Sequence, residues 1–256
     1  MWHIILLSLA CSLAINLLLF LVAFKLRSDK LTDISYSLSF LAISVVGLVN
    51  APNLTAYRLL IFLMVAIWAV RLGSFLLIRV FKVGKDQRFD EIRNSFIGFG
   101  KFWLGQAVTA WIVMLPATLA LYRGSAVTSL VLIGFAIWLL GVTVEGVADY
   151  QKFAFKQNPA NNGKWIDNGI WKYSRHPNYF GEIAVWVGVY LACFPALNGI
   201  EKVIGLASPI LISSALLFIS GVPILEKSAD KRWGKLPAYT AYKKRTRLLI
   251  PLPKLG

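Results

Sequence analysis

The sequence predicts an all-α, polytopic membrane protein: a single membrane domain over residues 1–256 with about seven transmembrane helices. Three observations carry that reading. Hydrophobic residues make up 57% of the chain and mean hydropathy is +0.66, outside the range of soluble domains. Apolar runs recur at about the 20-residue length a helix needs to cross a hydrocarbon core of roughly 30 Å. The cations, finally, are confined to alternate connections between those runs.

Seven spans can be drawn, at about 4–24, 34–50, 59–81, 102–122, 127–149, 178–198 and 203–224, with a tail over 225–256. The first follows Met1-Trp2-His3 without a basic leader, and Ser8-Leu-Ala-Cys11 is a poor cleavage site, so it reads as a retained span. The second starts among Asp33, Ser35, Tyr36 and Ser37. The third carries Arg71 near its middle, where a charge is costly and turns to the protein interior. Residues 84–91, from Gly84 to Glu91, read as an interfacial loop. The fifth span ends in Glu145 and Asp149, four residues apart on one face. Both stand near a helix C-terminus, where the dipole disfavours anions. Such a pair calls for cations, hydroxyls or an amide-bearing ligand, or for one protonated carboxyl. Lys152 and Lys156 continue the same face.

Of the 27 Lys and Arg residues, all but Arg58, Arg71, Arg123 and Lys202 fall in the first, third and fifth connections or in the tail. The positive-inside rule then puts the N-terminus outside and the C-terminus in the cytoplasm, which an odd span count requires. In a bacterium this is an inner-membrane protein. The net charge of +15 is thereby assigned to orientation and membrane lipids, and no nucleic-acid partner is expected. Cys11 and Cys193 lie in apolar runs without metal-ligand spacing, so no metal is expected.

The stretch Gly163–Trp186 stands out. Turn-forming residues lead through Asp167-Asn168-Gly169 to the cluster Lys172, Arg175 and His176, and then to Pro177. A residue before proline is held extended, and proline suits a first helical turn. A helix beginning beside these cations is a ready anion site. A juxtamembrane loop meeting lipid phosphates would explain the same cations. Within the helix, Tyr179, Glu182 and Trp186 share a face. The tail mixes Trp233, Tyr239 and Tyr242 with basic residues, a pattern that suits a membrane-surface anchor or the stacking of a nucleotide base.

The run Trp171-Lys-Tyr-Ser-Arg175-His176-Pro177-Asn178-Tyr179-Phe-Gly181-Glu182 resembles the C-terminal signature of the steroid 5-alpha-reductase superfamily, and the chain is most similar to its uncharacterised membrane-protein branch. Asp33-Ile-Ser-Tyr36, Trp68 to Arg79, Glu145 with Asp149 and Gln151-Lys152, and the tail residues Glu226, Asp230, Trp233, Tyr239, Tyr242 and Pro251 extend the resemblance over most of the chain. The Arg-His-Pro core is shared with membrane methyltransferases acting on isoprenylcysteine and phospholipid. The resemblance implies an NADPH-dependent reductase with a cytoplasmic-side cofactor pocket. Asp149, Lys152, Lys156, Trp171, Arg175, His176, Asn178, Glu226, Asp230 and Tyr242 fall at cofactor-binding positions. Lys227 and Asp230 stand where the sterol reductases carry Arg-x-x-Arg-Asp, and the substrate-recognition residues of the steroid enzymes have no counterpart.

The chemistry expected is hydride transfer from NADPH to an activated C=C of a hydrophobic substrate, steroid-like, isoprenoid or lipid. Tyr179, Glu182 and Tyr36 are the candidate catalytic groups. Arg175 and the lysines suit phosphate, and the Asn178 amide suits a carboxamide. No GxGxxG follows a strand, so a dinucleotide site here is not of Rossmann type. Two alternatives remain open: an S-adenosylmethionine-dependent methyltransferase acting on a lipid, and a non-catalytic lipid-binding protein.

Overall fold

The computed structural model describes residues 1–83 and 92–253, with side chains from 81 to 83 excepted. The expected interfacial loop at 84–91 lies outside the described residues. The described chain is helical and contains no strand. Seven helical stretches are long and apolar enough to span a membrane, compatible with a multi-pass integral membrane protein.

The first six are Trp2–Lys25 (α1), Thr32–Val49 (α2), Ala56–Val83 (α3), Phe96–Arg123 (α4), Ser129–Gln157 (α5) and Pro177–Cys193 (α6). Two boundaries differ from the hydropathy reading, because an apolar window ends where polar residues begin but a helix need not. α4 begins at Phe96 rather than near 102, where Ser95 Oγ accepts from Gly98 N at 3.0 Å as an N-cap. α5 runs past 149 to Gln157, carrying Asp149, Lys152 and Lys156 on helical turns of their own.

The seventh span, expected as one run over 203–224, is interrupted. It comprises Ile200–Gly205 (α7), Ala207–Ser214 (α8), a π-turn at Ala215–Ile219 and Val222–Trp233 (α9). Proline is the cause. Pro209 and Pro223 each lack an N–H and crowd the carbonyl four residues earlier, and the interruptions at Leu206 and at Ser220-Gly221 lie just ahead of them. A last helix, Pro237–Arg245 (α10), follows in the tail.

The chain divides into two compact units, Met1–Phe135 with Val189–Ser208, and Ala136–Gly188 with Pro209–Gly256. In the first, α1 to α4 pack on one another, and Phe20 of α1 meets Phe99 and Trp103 of α4 in an aromatic cluster. Polar side chains tie these helices together. Asn16 donates to Ser39 Oγ at 2.8 Å, Gln106 donates to Asn16 Oδ1 at 3.0 Å, and Ser12 Oγ donates to the Ala107 carbonyl at 2.9 Å. In a span, a side-chain amide bonded across helices substitutes for the water it has lost. Arg93 and Asp29 pair at 3.3 Å with both side chains buried, and Arg79 pairs with Asp33 at 2.8 Å. Tyr36 belongs to this unit, edge-on to Phe40 at 4.7 Å, as does Arg71.

The second unit holds α5 from Ala136 onward, α6 as far as Gly188, the loop between them, and the chain from Pro209 through α9 and α10. It contains most of the residues singled out by the sequence.

Candidate functional site

The second unit is built on close contact between α5 and α6. A Cβ placed on Gly141 would lie 2.6 Å from Val185 N, and one on Gly181 would lie 2.6 Å from Glu145 N. Only glycine permits this approach, and it sets buried Glu145 on α5 beside Gly181, next to Glu182 on α6.

The loop is pinned to α5. Gln151 Oε1 accepts from Ile170 N at 3.0 Å, and Gly169, at φ +55°, leaves the room that amide occupies. Trp171 is buried. Its Nε1 donates to the Ala148 carbonyl at 3.1 Å, its own carbonyl accepts from Tyr242 Oη at 2.9 Å, and Lys152 Nζ stands 4.7 Å from its ring centroid. Burial drives the Tyr242 hydroxyl well above its ordinary pKa, so it remains a donor.

A strap of tail backbone holds the segment leading into α6. Arg247 N donates to the Tyr173 carbonyl at 3.1 Å, Arg175 N to the Arg247 carbonyl at 2.9 Å, and His176 N to the Leu248 carbonyl at 3.1 Å. Ser174 Oγ adds a bond to the Leu249 carbonyl at 2.7 Å. This is a single parallel bridge between Ser174 and Arg247, and it satisfies the extended backbone that Pro177 enforces.

Glu226 of α9 gathers the side chains of this segment. Its Oε1 accepts from Arg175 Nε at 3.1 Å and lies 2.9 Å from His176 Nε2, while Lys243 Nζ reaches Oε2 at 3.2 Å. Arg175 also donates through Nη1 to the carbonyls of Lys243 and Thr246, at 3.2 and 3.0 Å. Arg175 thus serves as a strut between α9, α10 and the loop. Burial holds the His176 imidazole below its ordinary pKa, against the upward pull of Glu226 and with Lys152 and Arg175 adding to the depression. Tyr179 stacks on His176, ring centroids 5.5 Å apart and planes 9° from parallel. Gly221 makes room for it, since a Cβ there would lie 2.9 Å from Tyr179 Cε2.

Beside these groups is a cavity of about 200 Å³. Its lining includes five cations, Lys152, Lys156, Lys164, Arg175 and Arg232, against one carboxylate, Glu226. Ser228 apart, the rest of its polar wall is aromatic: Trp165, Trp171, Trp233, Tyr239 and Tyr242, with His176. Trp165 meets Tyr239 edge-on at 5.2 Å and Trp233 at 6.1 Å, and Trp233 Nε1 donates to the Gly163 carbonyl at 2.6 Å. A second cleft of about 350 Å³ shares Arg175 and Tyr239 and extends over Asp230, Lys243 and Lys244. There Asp230 pairs with Lys243 at 2.7 Å.

Of the residues singled out for cofactor binding, Lys152, Lys156, Trp171, Arg175, His176, Glu226 and Tyr242 line the smaller cavity, and Asp230 lines the adjoining cleft. Asp149 is buried on α5 one turn before Lys152. Asn178, Tyr179 and Glu182 stand half-buried on the first turns of α6, outside the described lining. Trp233, read from the sequence as a stacking residue of the tail, also lines the cavity, as do Lys164, Trp165 and Arg232, which the sequence did not single out. For the two tryptophans and Arg232 the signal was present as aromatic-basic interleaving. For the strap at 246–249 there was none, because its bonds come from backbone.

A model of the family described as "Protein of unknown function (DUF1295)" matches residues 19–246. A stretch of 46 residues, 18% of this chain, is 41% identical to the probable O-methyltransferase ustE of Ustilaginoidea virens, and the match spans 16% of that protein's length. No solved structure matches the chain.

Proposed function

We propose, for a chain that belongs to the DUF1295 family, that the cleft of the second unit binds NADPH and that the protein reduces an activated C=C of a hydrophobic substrate. The observation that carries this reading is the charge of the lining. Five Lys and Arg side chains against one carboxylate, among aromatic faces, call for a polyanion with a planar base. NADPH offers a pyrophosphate, a 2′-phosphate and an adenine, whereas S-adenosylmethionine brings a sulfonium cation and a single carboxylate. With the adjoining cleft the space reaches the roughly 300–1,000 Å³ typical of small-molecule sites.

The residues fit such a ligand. Lys156, Lys164 and Arg232 are exposed along the lining and supply phosphate contacts, and Trp165 Nε1 is a buried donor with no hydrogen-bond partner among the described residues. Trp165, Trp233 and Tyr239 supply stacking faces. Arg175, already bonded to three acceptors, acts by holding Glu226 and α10 in place. When bound, NADPH supplies the hydride, and the protein's part is orientation and proton delivery. Tyr179 and Glu182 of α6, in the same unit as the cleft, are the groups assigned to the second task. The cation asymmetry of the chain supports a cleft on the cytoplasmic side, where NADPH is available.

The similarity to a probable O-methyltransferase favours a second reading, methyl transfer from S-adenosylmethionine to a lipid acceptor. Titration of the detergent-purified protein with each cofactor separates the two. The first reading expects NADPH to bind at least tenfold more tightly than S-adenosylmethionine. Saturable S-adenosylmethionine binding without NADPH binding reverses the assignment, and binding of neither removes both.

A further inference from the structure

Glu226, held by Arg175 at one oxygen and Lys243 at the other, is a hydrogen-bond acceptor only. The His176 nitrogen 2.9 Å from Oε1 is therefore the one that carries hydrogen, and the ring sits in its Nε2–H tautomer. This leaves Nδ1 as a bare lone pair. Nδ1 is buried, in a residue only 4% exposed, and has no hydrogen-bond partner among the described residues. A polar atom left in that state has lost its water without a replacement, which is destabilising. His176 also lines the cavity whose other walls carry the excess of cations.

We propose that Nδ1 of His176 is the proton-accepting contact of the cleft: a phosphate-bearing ligand binds there together with one proton. The proton comes from solvent, an N–H bond forms at Nδ1, and the imidazolium donates from Nδ1 to the ligand phosphate while Nε2–H keeps its bond to Glu226. The inference rests on the proposed function only for the phosphate-bearing class of ligand.

The charged surroundings give the coupling its sign. Facing the ring are Glu226 from α9, Arg175 from the segment before α6, and Lys152 from α5. Tyr179 of α6 stacks on it, and Lys243 of α10 bonds the far oxygen of Glu226. Burial, Lys152 and Arg175 oppose a further positive charge, and Glu226 favours one. A phosphate brought beside Nδ1 reverses that balance. His176 is then neutral in the free protein and charged in the complex. Affinity for the anion falls as pH rises between the two pKa values, by up to about tenfold per unit.

The chain contains only two histidines, so the ring nitrogens can be observed directly. Full-length protein carrying ¹⁵N-labelled histidine is titrated with NADPH, with NADH and with inorganic pyrophosphate, and His3→Gln assigns the signals. The expected result is that the unequal pair of His176 nitrogens, diagnostic of one tautomer, collapses to the near-equal pair of an imidazolium on saturation. In His176→Phe, which retains a ring against Tyr179, the ligand-bound protein loses this pH dependence of Kd beyond what the phosphate's own titration produces. NADPH binding with the His176 signals unchanged overturns the inference and leaves the cofactor reading intact. Pyrophosphate charging His176 in a protein that ignores NADPH upholds the inference and removes the cofactor reading. Failure of all three anions to bind overturns both.

Discussion

Gly181 of α6 lies against Gly141 of α5 so closely that a Cβ on Gly181 would stand 2.7 Å from the Gly141 carbonyl oxygen. The atoms in the way are backbone and the Cβ of Glu145, none of which can step aside as a side-chain tip does. Gly181→Ala and Gly141→Ala must separate the two helices, at a cost of about 1–3 kcal/mol or more. Gly105→Ala on α4 meets nothing within 4 Å and is expected to be neutral or stabilising by up to about 1 kcal/mol. Thermal melts of the three variants in one detergent test the contrast, and equal melting temperatures would remove the argument.

Arg175 and the exposed cations of the cavity should fail in different ways. Arg175 reaches Glu226 and two carbonyls with two nitrogens, a geometry Lys cannot reproduce. Both Arg175→Ala and Arg175→Lys are expected to lower stability, by about 3 kcal/mol for the former, because Glu226 loses one of its two cationic partners and the carbonyls of Lys243 and Thr246 lose their donor. A variant that melts like the parent but loses only anion affinity would instead make Arg175 a direct ligand.

For Lys156, Lys164 and Arg232 the expectation is the reverse. Each sits at the exposed rim of the lining, so Ala substitution should leave melting unchanged and weaken NADPH binding about three- to tenfold. Each loss should also reduce the steepness with which salt weakens binding. Lys235, exposed and outside the lining, is the matched control. An equal effect at Lys235 would mean that general positive charge, not this cleft, attracts the ligand.

The state of His176 sets a pH window for the ligand-free protein. Its pKa in the folded chain lies below the ordinary 6.5, so the unfolded chain takes up a proton first as pH falls. The contribution to stability is whole above 6.5 and is lost progressively below it, down to the depressed folded value. Melting temperatures from pH 7.5 to 5.5 should decline in the parent and decline less in His176→Phe. A parent profile flat across that range would contradict the buried neutral imidazole.

The proposed orientation is checked by a reporter fused after Gly256, expected to be active only in the cytoplasm. Activity on the opposite face would invert the topology and leave NADPH without access to the cleft.

The span count was legible in the sequence because bilayer thickness imposes a length on every crossing helix. The interruptions of the seventh span were legible in principle, since Pro209 and Pro223 mark them, but an average over an apolar window hides a single proline. For the site, residue types and their neighbourhood along the chain pointed to Lys152, Trp171, Arg175 and His176. The partner of Arg175 and His176 was not legible. Glu226 lies 50 residues beyond His176, and only the fold chooses it over Glu182, which is nearer in sequence. Likewise the nitrogen of His176 that carries hydrogen follows from the carboxylate beside it, which no spacing encodes.

The backbone strap from 246 to 249 also separates two events in the life of the molecule. A nascent chain that has emerged as far as α9 already possesses all seven apolar helical stretches and has what membrane insertion requires. Residues 173–176 acquire their remaining backbone partners only when the strap is made and docks against them. Spanning the lipid and completing the cleft thus draw on different parts of the chain. A stop just after α10 is expected to spare all seven apolar stretches and to leave residues 173–176 without these partners.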